Sequence, residues 1–412
     1  MIKTSSLLYF LLTFSILLQN LFFHIVNPTS TTTLLLMVDI LLMFILSYYM
    51  SRNSECHYLY RYIWIVFTVV LIPQSIYGFL QGQSLSDYID VIKGPICILL
   101  SIPVLKLFLM DRKIDRVINM ITLLTVISLA ILLLNSIALN EFGRSILPFD
   151  YFQLPPNGRN NRLRLLLISD FLSFVSIYSF SIFLAEKRIW KLIPFAICLG
   201  AEFYIEQTRM IEMAIIAACV IIYARSISKR RYKYFLYFMS GCALVYGLFA
   251  EWFTSFLDSF SIQNTTTGVS TLYRTIEWRT AWNLILEHPI LGTGMVKDYR
   301  FSVNLTGIPV MYDHTDIGIV GTVTYIGLIG TIALFIAPYI RCCKTFFQIP
   351  KENKQDRDVY FYTGLFVYVT VTTITIIVTD NSRIFVWPFI LAVEEFIRLK
   401  YVYGSIGLYG ED

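Results

Sequence analysis

The stretch VINMITLLTVISLAILLLNSIAL, Val117–Leu139, runs 23 residues without a charge and follows the charged DRKIDR of residues 111–116. At about 1.5 Å per residue, a helix of that length crosses a hydrocarbon core of about 30 Å. Similar runs recur along the whole chain, about twelve of them. They are Ser6–Val26, Thr33–Met50, Tyr62–Leu80, Val91–Leu109, Val117–Leu139, Leu165–Ala185, Trp190–Glu206, Met210–Ala224, Tyr234–Trp252, Ile317–Ile340, Tyr360–Thr379 and Ile384–Val402. Composition agrees: the 412 residues are 15% charged and 56% hydrophobic, whereas a soluble domain carries about 25% charged residues. Aromatic residues make up 16%, and disordered chains are poor in that class. The fold class expected is therefore an all-α polytopic membrane protein.

Basic residues set the orientation, because cytoplasmic loops carry the excess of Lys and Arg. With the N terminus inside, the even connections and near-terminal positions take 22 of the 33 basic residues, from Lys3 and Arg52 to Arg357, Arg398 and Lys400. Both termini are then expected in the cytoplasm. The first run is too long for a signal-peptide core and has no small-residue cleavage site, so it is expected to stay as an anchor. Cys56, Cys342 and Cys343 fall in expected cytoplasmic loops and the other four cysteines in spans, so neither disulfides nor a zinc site is expected. The net charge of +5 implies no nucleic-acid partner, since the meaning of each cation depends on its side of the bilayer.

The remaining basic residues lie on the outer side: Lys93, Lys297, Arg144, Arg159, Arg162, Arg164, Arg209, Arg274, Arg279, Arg300 and Arg383. A face that should be poor in positive charge is instead rich in Arg. Guanidinium forks bind phosphate oxygens bidentately, so the set points to an anionic ligand at the outer surface, against the plainer alternative of headgroup contacts and structural ion pairs. Two outer loops are long. Asn140–Arg164 ends in the basic RNNRLR, and Phe253–Asp316 runs 64 residues, where packed helices usually need about 2–8. The chain divides accordingly into 1–252 with nine spans, the extracytoplasmic loop 253–316, and 317–412 with the last three.

In the second loop a helical pattern runs over 272–287. Trp278, Trp282 and Ile285 form one apolar stripe suited to packing or to the membrane interface. Arg274 and Arg279 are five residues apart, about 140° around a helix. HPILGTG, residues 288–294, stops the helix; His288 reads first as a turn residue, and Gly292 and Gly294 are a weak phosphate-loop signal. DHTDIG, residues 313–318, places His314 between Asp313 and Asp316 where the chain re-enters the bilayer, and those carboxylates could orient the imidazole or raise its basicity. EFYIEQTRMIEM carries Glu202, Glu206, Arg209 and Glu212 at spacings that share one face of a continuous helix; charges at such depth are paired or line a polar cavity. Asp39 and Lys93 are the features most like a transporter. Asp356 and Asp358, in KENKQDRD, read as a solvated loop.

The order of these features resembles the O-antigen polymerase and O-antigen ligase superfamily. The resemblance rests on RLRLLLISDF (162–171), the TR of EQTRM (206–210), RTIEWRTAWNLILEHPILGTG (274–294) and HTDIGIVGTVTYIGLIG (314–330). It implies an integral-membrane glycosyltransferase, type C-like, with a large late outer loop between spans nine and ten. The implied reaction moves a glycan from a polyprenyl diphosphate donor to a sugar hydroxyl at the outer face of the bacterial cytoplasmic membrane, with no cofactor or metal. By position, Arg209 and Arg274 would hold the diphosphate, Arg162 or Arg164 would assist, and Arg279 is a further candidate. His314 would act on the acceptor hydroxyl, with Asp313 or Asp316 as the alternative base. Ligases resemble one another in a His followed by Asn, Ser or Gln. Here Thr315 follows and the spacer to Gly327 is longer, which favours a polymerase of O-antigen, capsular or exopolysaccharide repeat units. Implied partners are lipid-linked oligosaccharide donor and acceptor and membrane lipids; a chain-length regulator and a flippase are further candidates. The alternative classes are a ligase and a lipid-oligosaccharide flippase. A transporter with inverted halves would show a half-to-half repeat, and none is evident.

Overall fold

The computed structural model describes residues 4–19, 30–50, 54–80, 82–147, 153–154, 164–165, 169–203, 209–227, 268–296, 302–305, 308–311, 317–374, 376–377 and 384–404. Helix α1 spans Thr4–Gln19 and α2 Ser30–Tyr48. The next helical runs are α3, Ser54–Leu80, and α4, Leu85–Asp111; α5 follows as Asp115–Phe142. Then come α6, Ser169–Glu186, α7, Leu192–Ala201, and α8, Arg209–Ser226. Helix α9 spans Gly268–Glu287, α10 Gly318–Gln348, α11 Arg357–Thr372 and α12 Val386–Ile397. Among the described residues five helices are long and apolar enough to cross a membrane: α3, α4, α5, α10 and residues Thr31–Tyr48 of α2. Helices α1, α6 and α7 carry shorter apolar stretches. The protein is a multi-pass membrane protein. Its expected ninth span, Tyr234–Trp252, lies outside the described residues.

The all-α class is borne out, and the connections add short pairings that the sequence did not show. Two antiparallel hairpins occur in the connections, β1 (Gln153–Leu154) with β2 (Arg164–Leu165), and β3 (Ser302–Leu305) with β4 (Ile308–Met311). Each is too short to give a hydropathy signal, and pairing within a loop satisfies backbone groups that no helix serves.

Helix α12 is the axis of the bundle. All twelve of its residues are buried, Glu394 and Glu395 included; the other ten are apolar, as expected of a helix surrounded by others. It packs against α11 and the second half of α4. Gly364 lets α11 approach α6 and α8 closely: a Cβ there would stand 2.4 Å from Ile177 Cγ2 and 2.6 Å from Ile222 Cδ1. A π turn at Ile332–Ile336 in α10 disturbs the regular helical pairing. The Leu334 carbonyl there accepts from Tyr62 Oη at 2.7 Å and Trp387 Nε1 at 3.2 Å, which ties α3, α10 and α12 together in a region without water to offer.

One end of the bundle is cross-linked by charge. Arg341 pairs with Glu394 and Glu395 and lies over the Tyr58 ring at 3.2 Å. Glu394 also accepts from Thr345 Oγ1 at 2.6 Å. Beside it Arg357 reaches Asp115 at 2.7 Å and Lys400 reaches Asp358 at 2.7 Å. Asp358, expected in a solvated loop, is 4% exposed: it lies in the first turn of α11, where the helix dipole favours an acid, and Lys400 arrives from beyond α12. Cys56, Cys342 and Cys343 lie in helical turns instead of loops. For Cys342 and Cys343 the reason is length: α10, at 31 residues, outruns the hydrocarbon thickness.

Candidate active site

The opposite end of the bundle is the one the charge bias assigns to the outside. There the chain between α9 and α10 makes a backbone-to-backbone joint. Helix α10 is broken at Gly327, with φ 69° and ψ 178°, a conformation open essentially to glycine alone. Such a break frees amides and carbonyls inside a membrane span, and each must find a partner. The turn HPILGTG supplies them. Leu328 N donates to Pro289 O at 3.0 Å, Ile329 N to Ile290 O at 3.4 Å, Thr293 N to Thr324 O at 2.8 Å and Gly294 N to Tyr325 O at 3.1 Å. Thr331 Oγ1 caps the Gly327 carbonyl at 2.7 Å.

The glycines of this turn are therefore steric. A Cβ on Gly292 would lie 2.4 Å from Gly327 N, and one on Gly327 would lie 2.2 Å from Ile290 O. Gly294 faces the Tyr77 ring. The weak phosphate-loop signal is thus accounted for by docking. Two residues the sequence did not single out hold the joint from α3 and its end: Gln74 Nε2 donates to Leu291 O at 2.7 Å and Gln83 Nε2 to Met295 O at 3.1 Å. Glutamine inside or beside an apolar run is the signal that could have found them.

The joint fixes α9 over the start of α10. Ala281 and Ile317 are both fully buried and form one small apolar cluster with Leu284 and Val320. Arg274 occupies the helix position seven before Ala281, on the same face and about 10 Å along the axis. Glu277, between them on that face, is 8% exposed. Ile317 follows directly on Asp316 in the chain, so the packing of Ile317 on Ala281 anchors the end of the DHTDIG segment beside α9. Arg279 is exposed, about 140° from Arg274, and α9 is continuous across both. Trp278 and Trp282 are 45% and 58% exposed, so the stripe is turned outward.

Arg209 is the first described residue of α8. Glu212, in the first turn, is 3% exposed, and Glu202, just past the end of α7, is fully buried. Helical backbone continues through Glu202 and Phe203, and Glu206, on which the expectation of one continuous helix face depends, lies outside the described residues. Arg164 is in β2, opposite Leu154. Arg162, Asp313, His314 and Asp316 lie outside the described residues. Of the two transporter-like residues, Asp39 is 4% exposed and accepts from Ser15 Oγ at 2.5 Å; Lys93 sits inside α4.

Residues 193–335 match the family model described as O-antigen ligase. That segment contains Arg209, Arg274, Arg279, the HPILGTG turn, the DHTDIG segment and the break at Gly327. The match supports the resemblance to the O-antigen ligase and polymerase superfamily and a glycosyltransferase-like activity in that pathway. No curated protein matches the chain significantly.

Proposed function

We propose that the protein is a polymerase that joins polyprenyl-diphosphate-linked oligosaccharide repeat units at the outer face of the bacterial cytoplasmic membrane. In this reading Arg209 and Arg274 bind the donor diphosphate, Arg162 and Arg164 assist from the first outer loop, and His314, with Asp313 and Asp316, serves the acceptor hydroxyl. The segment 253–316 is then the working loop between two sets of spans, 1–252 and 317–412, with both termini cytoplasmic. The observation that supports the reading is the joint of the HPILGTG turn with the break at Gly327, which seats α9, the helix that carries Arg274, over the start of α10, the helix that follows His314 in the chain.

Departure of a polyprenyl diphosphate builds negative charge on phosphate oxygens. Fixed guanidinium donors in a poorly hydrated site stabilise that charge more in the transition state than in the ground state. The acceptor hydroxyl loses its proton as its oxygen bonds to the sugar carbon, and an imidazole with an unperturbed pKa of about 6.5 accepts one near neutral pH. Polymerase is favoured over ligase by Thr315 after His314. The charge-linked end of the bundle favours an enzyme over a flippase, since a flippase that opened there would have to part Arg341 from Glu394 and Glu395.

The test is replacement of Arg209, Arg274 and His314 singly by Ala in cells whose surface polysaccharide is resolved by length. A polymerase gives acceptors capped with one repeat unit, a ligase gives lipid-linked polymer that never reaches its acceptor, and a flippase gives lipid-linked units trapped inside. Full-length polymer in all three variants would refute the assignment.

A further inference from the structure

The pattern Arg-x-Ile-Glu occurs twice in the sequence, as Arg209-Met-Ile-Glu212 and as Arg274-Thr-Ile-Glu277, and nowhere else in it. Both copies have helical backbone, one in α8 and one in α9. We infer that Glu212 and Glu277 are positioning residues: each carboxylate holds one edge of the guanidinium three positions before it and leaves the other edge for phosphate oxygens. The inference rests on the polymerase reading above and adds two residues that the reading does not use.

Three observations carry it. First, both acids are inside the protein: Glu212 is 3% exposed and Glu277 is 8% exposed. Glutamate is almost never buried unless it is paired. Residues three apart on a helix are neighbours, with Cβ atoms about 5–6 Å apart, so in each copy the arginine shares the face of the buried acid. Arg279, two positions after Glu277, is about 200° away around the helix.

Second, the order of the charges does not serve the helix. An acid one turn before a base supports a helix better than the reverse, and both copies put the base first. Third, the outward arginine of α9 lacks the acid. Arg279 is exposed, and three positions after it stands Trp282, 58% exposed. Within α9 the acid therefore goes with the face packed on the start of α10, where Ala281 meets Ile317.

The chemistry gives such an acid a use. A guanidinium carries more N–H donors, in one rigid plane, than a single phosphate edge can accept. A carboxylate on one edge fixes that plane before the donor arrives, so the fork meets the charge developing on the diphosphate without reorganising.

The test uses the full-length protein in nanodiscs, supplied with lipid-linked repeat unit extracted from producing cells, and measures kcat and KM for lengthening. Glu212→Gln and Glu277→Gln should each lower kcat about tenfold with KM little changed. Double-variant cycles then identify the arginine that each acid serves. Arg209→Lys and Arg274→Lys keep the charge and lose the fork. Glu212→Gln should cost nothing further in Arg209→Lys, and Glu277→Gln nothing further in Arg274→Lys, whereas the crossed combinations should multiply. Multiplied effects within a copy, or wild-type kcat in either Gln variant, overturn the inference. So does a fall in the thermal midpoint in detergent that each Gln change produces equally beside Arg and beside Lys, since that identifies a packing group. These failures leave the polymerase reading standing as long as Arg209→Ala and Arg274→Ala abolish lengthening; wild-type lengthening in those two variants would remove both.

Discussion

Replacing Gly327 by Ala tests the joint at the centre of the candidate site. The new methyl group would be 2.2 Å from Ile290 O and 2.5 Å from Gly292 N, both backbone atoms that cannot rotate away. The conformation itself, φ 69° and ψ 178°, costs a non-glycine residue about 1–3 kcal/mol. If the turn undocks, four backbone hydrogen bonds are lost, each with a net contribution of about 1 kcal/mol. Strain and lost bonds together come to about 6 kcal/mol, a factor of about ten thousand in the opening equilibrium. The turn should therefore leave α10 while the bundle, held by α12, persists. Hydrogen exchange of nanodisc-embedded protein, followed on peptides covering 288–296 and 324–330, should show protection lost in Gly327→Ala. Gly200→Ala, where a Cβ meets nothing within 4 Å, should leave it intact. Wild-type protection of both peptides in Gly327→Ala would refute the steric account of this glycine.

Arg341→Ala leaves Glu394 and Glu395, whose side chains are 1% and 5% exposed, without their cation; a loss of about 3–5 kcal/mol should appear as a lower thermal midpoint in detergent, partly recovered when both acids are also made Gln. Gly364→Val drives two methyl groups toward Ile177 and Ile222, and overpacking of about 1–3 kcal/mol should lower the same midpoint, with no change counting against close packing of α11 on α6 and α8. Trp278→Phe with Trp282→Phe should leave stability unchanged but remove fluorescence quenched by brominated lipid, because both rings are exposed on the outward face of α9; quenching equal to wild type would place them away from the interface.

The two arginines of α9 illustrate how far local pattern reaches. Spacing alone put Arg274 and Arg279 about 140° apart but could not choose between them. The contact of Ala281 with Ile317 distinguishes them, because it packs the helix face on which position 274 lies against the start of α10, while Arg279 is exposed. The same contact turns Trp278 and Trp282 outward. In the other direction, Asp358 looked solvated among lysines, yet a residue 42 positions away, Lys400, buries and neutralises it.

Hydropathy by itself determined the class of the molecule: long uncharged runs can satisfy their backbone in a bilayer only as helices, and that holds whatever the runs pack against. Charge by itself set the expected sides and drew attention to the outer arginines. What only the tertiary structure decided is the joint between HPILGTG and the break at Gly327, with Gln74 and Gln83 holding it. A glycine required by a close approach looks the same in sequence as one in a flexible or phosphate-binding loop, and the approach exists only after segments some 30 positions apart, with hairpin β3–β4 between them, have been brought face to face.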